Sequence, residues 1–262
     1  MTLKPFLAAL ALLTAATSAA GDAPGCGGAA PCPVGEREYH AAPPPGWDGA
    51  SPLPVLIHFH GWGRRSAGVL ANRRVADAAA EAGALLIAPQ GLGRSWSFWR
   101  PGSPDSRFAL AVLEDAATRW PVDRSRVVVS GFSYGGAMAW RLACDEGAVA
   151  ARFLPIAGSL WRGDEDCAAP VAISHLHGLK DTVMDYPFGP DGEEEAAVSL
   201  WLRRNECAAA PDEREEVGRF DCRRWTSCAG PPVELCTHGG GHQIPKDWLS
   251  YALPRALASS AP

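Results

Sequence analysis

A run of β-branched residues that ends in a glycine-flanked serine constrains this chain more than any other feature. The run reads Val127-Val128-Val129-Ser130-Gly131-Phe132-Ser133-Tyr134-Gly135-Gly136. Valines in succession favour a buried strand, and the alanine-rich residues that follow favour a helix. A serine between the two stands on a sharp turn, which needs small residues two positions away on either side because the two backbones pass close together. The pattern therefore predicts a strand, a turn that exposes the Ser133 hydroxyl, and a helix whose N-terminus points at whatever that hydroxyl attacks.

A serine hydroxyl is a weak nucleophile at neutral pH, so it needs a general base and a group that orients the base. Two later junctions between a strand and a loop offer these groups. The predicted strand 171–177 is followed by Asp181, and the predicted strand 233–237 is followed by three glycines and His242. The chain order of serine, acid and histidine is that of α/β-hydrolases. We expect Asp181 to fix the tautomer of His242, and His242 to act as the general base that later protonates the leaving group.

Other acids and histidines compete for these roles. Asp185 could replace Asp181, although Asp181 fits a loop immediately after the strand better and Asp185 would otherwise be a solvated charge. Two pairs of histidines, each two residues apart on one predicted strand, could suggest a metal site: His58 with His60, and His175 with His177. No third ligand is spaced to complete such a site, so we expect hydrogen-bonded structural histidines at strand ends.

Acyl transfer also needs two backbone donors for the oxyanion. Tyr134, directly after the serine, supplies one N–H. The second is expected from a turn after an earlier strand, and the predicted strand 55–60 leads into Gly61-Trp62-Gly63. We assign the second donor to the N–H of Trp62.

The N-terminal twenty residues have the features of a signal peptide, with Lys4, an apolar stretch at 6–13, and Ser18-Ala19-Ala20 before Gly21. The apolar stretch is too short to span a bilayer. A lipid anchor at Cys26 would need a better acylation motif. We therefore expect an exported protein, secreted or periplasmic, with residues 21–35 as a Pro/Gly/Cys-rich segment and 36–262 as one catalytic domain.

Composition narrows the function further. Lys and Arg number 24 against 29 Asp and Glu, and no basic run suggests nucleic acid as a partner. Eight cysteines in an exported chain indicate disulfides, for which 105 pairings exist. Proximity in sequence favours Cys26–Cys32 and Cys144–Cys167. The last four are expected to pair among themselves, with preference for Cys207–Cys228 and Cys222–Cys236; a zinc site would need a close Cys-x-x-Cys pair that the chain lacks.

Apolar runs alternate with amphipathic segments through the rest of the chain, which predicts an α/β fold with a mostly parallel sheet covered by helices on both faces. The predicted strands are 55–60, 84–89, 126–130, 153–157, 171–177 and 233–237, with a further edge strand at 37–41. The predicted helices are 67–82, 107–119, 133–145, 193–205 and 246–258. Stretches 91–105 and 208–232 are expected to be irregular and to form the pocket rim. Ser133, Asp181, His242 and Trp62 all fall at the carboxyl ends of strands, where such sheets hold their active sites.

Several aromatic residues are expected at that same end of the sheet. Trp96, Phe98 and Trp99 lie in the irregular stretch after strand 84–89, and Trp161 follows the strand after the serine. Without helical spacing, they suggest a flat-walled apolar pocket for an aromatic acyl group or a polyester segment, or else packing between loops.

The combination of motifs resembles one known family. The resembling stretches are His60-Gly61, Ala88-Pro89-Gln90-Gly91, Pro121 to Val127, Gly131 to Gly136, His177-Gly178-x-x-Asp181 and Gly239-Gly240-Gly241-His242. Together they are similar to the secreted polyhydroxybutyrate depolymerase/feruloyl esterase family of α/β-hydrolases, over about residues 36–250. The resemblance implies a serine esterase that forms an acyl-enzyme without a metal or organic cofactor, acting on phenolic esters of plant polysaccharide or on hydroxyalkanoate polyesters. The chain departs from the family's usual residues at Trp62 and at Gln243-Ile244-Pro245, and both changes reshape the walls near Ser133.

Two other functions fit the same residues. A peptidase or acyltransferase could use an identical serine, acid and histidine, although no charged specificity pocket is evident. An inactive hydrolase scaffold could serve as a binding module, but such proteins usually lose a catalytic residue, and here all three are present. The sequence does not indicate an oligomeric state.

Overall fold

A ten-stranded sheet forms the centre of the protein, which is a single α/β domain. The computed structural model describes residues 26–160, 167–184 and 196–258. The strands are β1 (Cys32–Val34), β2 (Arg37–Ala42), β3 (Leu53–Phe59), β4 (Leu85–Pro89), β5 (Val122–Phe132), β6 (Arg152–Ile156), β7 (Ile173–Gly178), β8 (Glu213–Val217), β9 (Phe220–Trp225) and β10 (Val233–His238). Their order in the sheet is β1-β2-β4-β3-β5-β6-β7-β10-β9-β8. The six central strands are parallel, and two antiparallel strands flank them on each side.

Six helices cover the two faces of this sheet within the described residues. They are α1 (Ser66–Leu70), α2 (Arg73–Glu81), α3 (Pro104–Arg119), α4 (Tyr134–Glu146), α5 (Ala196–Arg204) and α6 (Trp248–Ala258). One buried cluster includes residues of α3, α4 and α5, and a second includes residues of α1, α2 and α6. None of the described helices has the length and apolar character needed to cross a membrane.

Burial on both faces explains why the central strands are continuous apolar runs in the sequence. In β3, Val55, Ile57 and Phe59 enter the first cluster, while Leu56 enters the second. Because successive side chains of a strand point to opposite faces, a strand covered on both sides needs apolar residues at every position. The predicted parallel sheet with helices on both faces is therefore confirmed.

Three regions differ from the sequence prediction. The helix predicted at 67–82 is two helices, because the Asn72 side chain accepts the N–H of Arg74 and caps a new helix. The stretch 208–232, predicted to be irregular, contains the hairpin of β8 and β9, which turns at Gly218 with a φ of 61°. The short β1 was not predicted. Residues 193–195, the predicted start of α5, lie outside the described residues.

All eight cysteines are joined in four disulfides, and these are the pairs preferred from the sequence: Cys26–Cys32, Cys144–Cys167, Cys207–Cys228 and Cys222–Cys236. The last pair links residues directly opposite each other on β9 and β10. This bond ties the antiparallel edge of the sheet to β10, the parallel strand that leads to His242.

Candidate active site

Ser133 occupies a strained turn between β5 and α4. Its φ of 58° and ψ of −121° are rare for a residue with a side chain. A Cβ at Gly131 would lie 2.1 Å from the carbonyl oxygen of Gly135, and a Cβ at Gly135 would lie 2.0 Å from that of Phe59. Both positions therefore require glycine, as the sequence pattern predicted, and the tight crossing holds the Ser133 side chain at the carboxyl end of the sheet.

His242 and Asp181 form a hydrogen-bonded pair at the same end of the sheet. His242 Nδ1 lies 2.7 Å from Asp181 Oδ2, and the other carboxylate oxygen accepts the backbone N–H groups of Val183 and Met184, each at 2.9 Å. Burial of Asp181 by itself would raise its pKa, but the hydrogen bonds from His242, Met184 and Val183 outweigh burial, so that the pKa lies below its usual range. An ionised carboxylate fixed at both oxygens holds the His242 ring with Nδ1 protonated and Nε2 free to accept a proton.

Ser133 and His242 line one cavity of about 360 Å³, together with Trp62, Tyr134 and Met184 among others. The His242 ring packs on Phe132, the residue before the serine, with 4.7 Å between ring centroids. Within the described residues the Ser133 hydroxyl forms no hydrogen bond to His242. Such bonds are often long in unliganded enzymes and tighten when substrate binds. An imidazole on the wall of the cavity that contains Ser133 is in a position that suits activation of the serine hydroxyl.

Two backbone N–H groups at this cavity have no acceptor among the described residues: those of Trp62 and Tyr134. Tyr134 is the first residue of α4, where N–H groups have no partner within the helix and the helix dipole is positive. A Cβ at Gly61, beside Trp62, would lie 3.6 Å from the Ser133 Cβ, so the two turns approach closely. The geometry is suited to an oxyanion bound between the two turns.

The Trp62 turn is held in place by contacts that the sequence did not reveal. Trp96 donates its indole N–H to the carbonyl of His60 at 2.7 Å. His60 Nδ1 lies 2.9 Å from the carbonyl oxygen of Gly61, and His60 Nε2 accepts the backbone N–H of Gly91 at 3.1 Å. Gly63 donates to the carbonyl of Arg94 at 2.8 Å. His60 is thus a structural histidine, as predicted, and it fixes the turn that presents the Trp62 N–H.

The second histidine pair lies behind Asp181. His177 Nε2 is 2.7 Å from the carbonyl of Met184 and 3.5 Å from Asp181 Oδ2, and His175 Nε2 is 3.2 Å from His177 Nδ1. Burial lowers the pKa of both histidines. Two neutral rings therefore lie behind the carboxylate. Through the contact of His177 with the Met184 carbonyl they support the loop that carries Asp181, without adding a charge.

Of the aromatic residues predicted either to line a pocket or to pack between loops, Trp96 and Phe98 are buried and Trp99 is exposed. Trp96 and Phe98 are buried, where Trp96 packs on Phe59 and Phe98 packs edge-on against Tyr134, so neither offers a surface to a ligand. Trp99 is 42% exposed and lies edge-on to Tyr134. The side chain of Trp62 is 69% exposed beside the serine, although the sequence predicted a role only for the backbone N–H of this residue. Trp161 and Asp185 lie outside the described residues.

Among the described residues, one group of side chains is compact enough to hold a metal ion: Cys222, Glu234 and Cys236. The two cysteines are joined in a disulfide, and Glu234 pairs with Arg224 at 2.7 Å. A thiolate is needed to bind zinc through cysteine, so this group is a structural one.

Comparison with known proteins agrees with this geometry. No family model matches the chain. The chain is 29% identical over 255 residues to a probable feruloyl esterase C of Aspergillus niger, covering 92% of each protein. It is 27% identical over 216 residues to feruloyl esterase C of Emericella nidulans, covering 80% of this chain and 77% of that protein. An acetyl xylan esterase from Aspergillus awamori has the same fold, with a TM-score of 0.65, 16% identity, and coverage of 83% of this chain and 94% of that one.

The strained serine turn, the parallel sheet and the similarity to esterases over nearly the whole chain lead to one conclusion. The protein is a carboxylic-ester hydrolase with the α/β-hydrolase fold, and its sequence is similar to that of feruloyl esterases over most of its length.

Proposed function

We propose that Ser133, His242 and Asp181 form the catalytic triad of a secreted esterase that hydrolyses feruloyl or acetyl esters of plant polysaccharide. The observation that supports this most directly is the 2.7 Å hydrogen bond between Asp181 and His242, with His242 on the wall of the cavity that also contains Ser133. Relatives named feruloyl esterase and a structural neighbour named acetyl xylan esterase support the substrate class.

The proposed reaction has two steps. His242 Nε2 takes the Ser133 proton as the hydroxyl oxygen attacks the ester carbonyl, and the resulting oxyanion accepts the N–H groups of Trp62 and Tyr134. His242 then returns the proton to the departing alcohol, which leaves an acyl group on Ser133. Water, activated by His242, hydrolyses this acyl-enzyme. Asp181 remains ionised throughout and stabilises the imidazolium form of His242.

The surroundings of the serine are consistent with an ester attached to a large substrate. Exposed apolar side chains occur at the carboxyl end of the sheet and in the loops beside it: Trp62, Leu92, Trp99, Leu179 and Val183. An exposed indole can stack on a phenolic ring or on the apolar face of a sugar. Four disulfides suit an extracellular protein, which agrees with the signal peptide predicted at residues 1–20.

The test is a panel of methyl ferulate, acetylated xylan, hydroxybutyrate oligomers and 4-nitrophenyl acetate. We expect release of ferulate or acetate, and expect Ser133→Ala to abolish it. The matched control is Ser130→Ala, which removes a buried hydroxyl from β5, the strand that precedes Ser133, and which we expect to retain activity. Turnover of hydroxybutyrate oligomers alone would contradict the proposed substrate class, and undiminished turnover by Ser133→Ala would contradict the proposed nucleophile.

A further inference from the structure

A second cavity, of about 410 Å³, also has His242 in its lining. Its walls are the segment from Arg64 to Arg74, which includes α1 and the start of α2, and the segment from His242 to Ile244. It shares Gly61, Arg64, Phe132 and His242 with the cavity at Ser133. The volume is within the range of roughly 300–1,000 Å³ that small-molecule sites occupy. The two cavities therefore form neighbouring parts of one cleft that meet at His242.

Every residue with a full charge in this lining is an arginine: Arg64, Arg65 and Arg74. No aspartate or glutamate is part of the lining. Arg64 and Arg65 form no ion pair with any residue that the structure describes. The neighbouring Arg73, which is not in the lining, pairs with Asp77 at 3.2 Å. In a chain with a formal net charge of −5, a cleft with three arginines and no acid is a local exception that favours an anionic ligand.

The cavity also has ordered polar groups. Arg74 donates through Nη1 to the carbonyl of Ile244 at 2.7 Å, which joins the two walls. His58 is buried in the lining, and its Nδ1 has no hydrogen-bond partner in the described part of the chain. Because this atom is itself buried, it does not contact a ligand, and the polar contacts for a ligand come from the arginines.

The position of His242 decides which part of an ester enters this cavity. The carbonyl carbon of the ester must lie against Ser133, and the carbonyl oxygen must accept the N–H of Tyr134. Both residues line the first cavity only. The alcohol oxygen must lie against His242, because His242 protonates it as it leaves. Beyond that oxygen, the alcohol portion extends past His242 into the second cavity.

We infer that the cleft lined by Arg64, Arg65 and Arg74 is the subsite for the alcohol portion of the ester, and that it selects an alcohol with a carboxylate, such as a uronic acid unit of a polysaccharide. The inference rests on the proposed function, since it assumes His242 as the acid for the leaving group. Arginine suits this role because its planar guanidinium binds a carboxylate through two parallel hydrogen bonds.

The test compares two esters of acetic acid that differ in the charge of the alcohol: the carboxymethyl ester, with a carboxylate, and the carbamoylmethyl ester, with a neutral amide. We expect kcat/KM to be about tenfold higher for the carboxymethyl ester at low ionic strength, mostly through KM, since charge-assisted hydrogen bonds are worth more than neutral ones. The preference should shrink in about 0.5 M sodium chloride, because salt screens exposed charges.

Two variants separate this subsite from general charge effects. In the double variant Arg64→Gln/Arg65→Gln, the preference should fall to below about twofold. Arg73→Gln removes one positive charge from the adjacent helix and should leave the preference unchanged, and each of the single variants Arg64→Gln and Arg65→Gln should lower the preference. The parent and the variants hydrolyse the same two esters. The intrinsic reactivities of the esters therefore cancel when the ratio of kcat/KM values is compared between proteins.

The outcomes distinguish the subsite from the proposed function. A preference that survives in the double variant, or that is absent in the parent while both esters are hydrolysed, would overturn the subsite alone. Failure of the parent to hydrolyse either ester would overturn the proposed function and the subsite with it.

Discussion

Gly135→Ala should disable the site without unfolding the protein. The added Cβ would lie 2.0 Å from the carbonyl oxygen of Phe59 and 2.7 Å from that of His60. Cβ atoms in proteins essentially never come within 3.0 Å of such atoms, so the serine turn and the end of β3 must separate by about 1 Å. That movement pulls Ser133 away from the Trp62 turn, which begins two residues after Phe59.

The size of the effect follows from this displacement. A misplacement of about 1 Å in a catalytic arrangement can cost roughly 10²-fold in rate, so we expect kcat for 4-nitrophenyl acetate to fall by about that factor. Overpacking in a dense core typically costs about 1–3 kcal/mol of the roughly 5–15 kcal/mol that stabilises a domain. The variant should therefore remain folded, with a lower urea midpoint.

Gly239→Ala is the matched control. It makes the same substitution three residues before His242, where an added Cβ would meet no atom within 4 Å. We expect kcat to stay within about twofold of the parent. A Gly135→Ala variant with kcat within threefold of the parent, or a Gly239→Ala variant impaired to the same degree as Gly135→Ala, would refute the steric reasoning.

Three further predictions concern groups around the serine. Asp181→Asn would present an amide N–H to His242 Nδ1 and favour the wrong imidazole tautomer, so kcat should fall by roughly 10⁴, as the equivalent change does in serine proteases. Trp96→Phe would leave the His60 carbonyl without its indole donor, and should lower kcat about tenfold and the free energy of unfolding by about 1–3 kcal/mol, measured by ester kinetics and urea unfolding. Burial lowers the pKa of His58 from 6.5 to about 3, so the unfolded chain binds an extra proton between these pH values. The free energy of unfolding should therefore fall as the pH drops through this window, by at most about 1.4 kcal/mol per unit from His58.

Each of these has a control. Asp77→Asn changes a half-exposed carboxylate on α2 and should retain full activity. Trp47→Phe removes an indole donor from an exposed loop and should leave kcat unchanged. For His58, urea midpoints across pH 4 to 7 in the parent and in His58→Gln give the comparison. If the urea midpoint changes with pH to the same extent in both proteins, His58 does not contribute to the pH dependence of stability.

The parallel centre of the fold could be predicted from the sequence because it is buried on both faces. Unbroken apolar runs at residues 53–57 of β3 and 127–129 of β5 leave few alternatives to a covered parallel strand. The serine turn could be predicted for a related reason, since the close approach of two backbones at Gly131 and Gly135 excludes any side chain there. Asp181 and His242 follow from their places after β7 and β10.

The hairpin at the sheet edge could not be predicted in the same way. β8 reads Glu-Arg-Glu-Glu-Val and is largely exposed, so it lacks the apolar alternation that indicates a strand. It is stabilised by pairing with β9, and by Arg224, which pairs with Glu215 and Glu234. These contacts depend on the folded arrangement of the strands, and no local sequence pattern predicts them.

The aromatic residues after β4 show a different limit. Trp96 and Phe98 have no helical or strand spacing, which is compatible with a pocket wall and equally with packing between loops. In the structure the indole N–H of Trp96 reaches the His60 carbonyl, and both side chains are buried. Sequence alone does not show whether an aromatic residue in a loop turns toward the core or toward solvent. For Trp96, the hydrogen bond to the His60 carbonyl accounts for the buried orientation.

Labelling with a fluorophosphonate tests the central claim most directly, since the reagent reacts with a serine that a neighbouring base activates. Peptide mass mapping of the labelled protein should place one adduct on Ser133. His242→Ala should slow the labelling by several orders of magnitude, and heat-denatured protein should not react. An adduct on another residue, or labelling of Ser133 at the same rate in His242→Ala, would contradict the account.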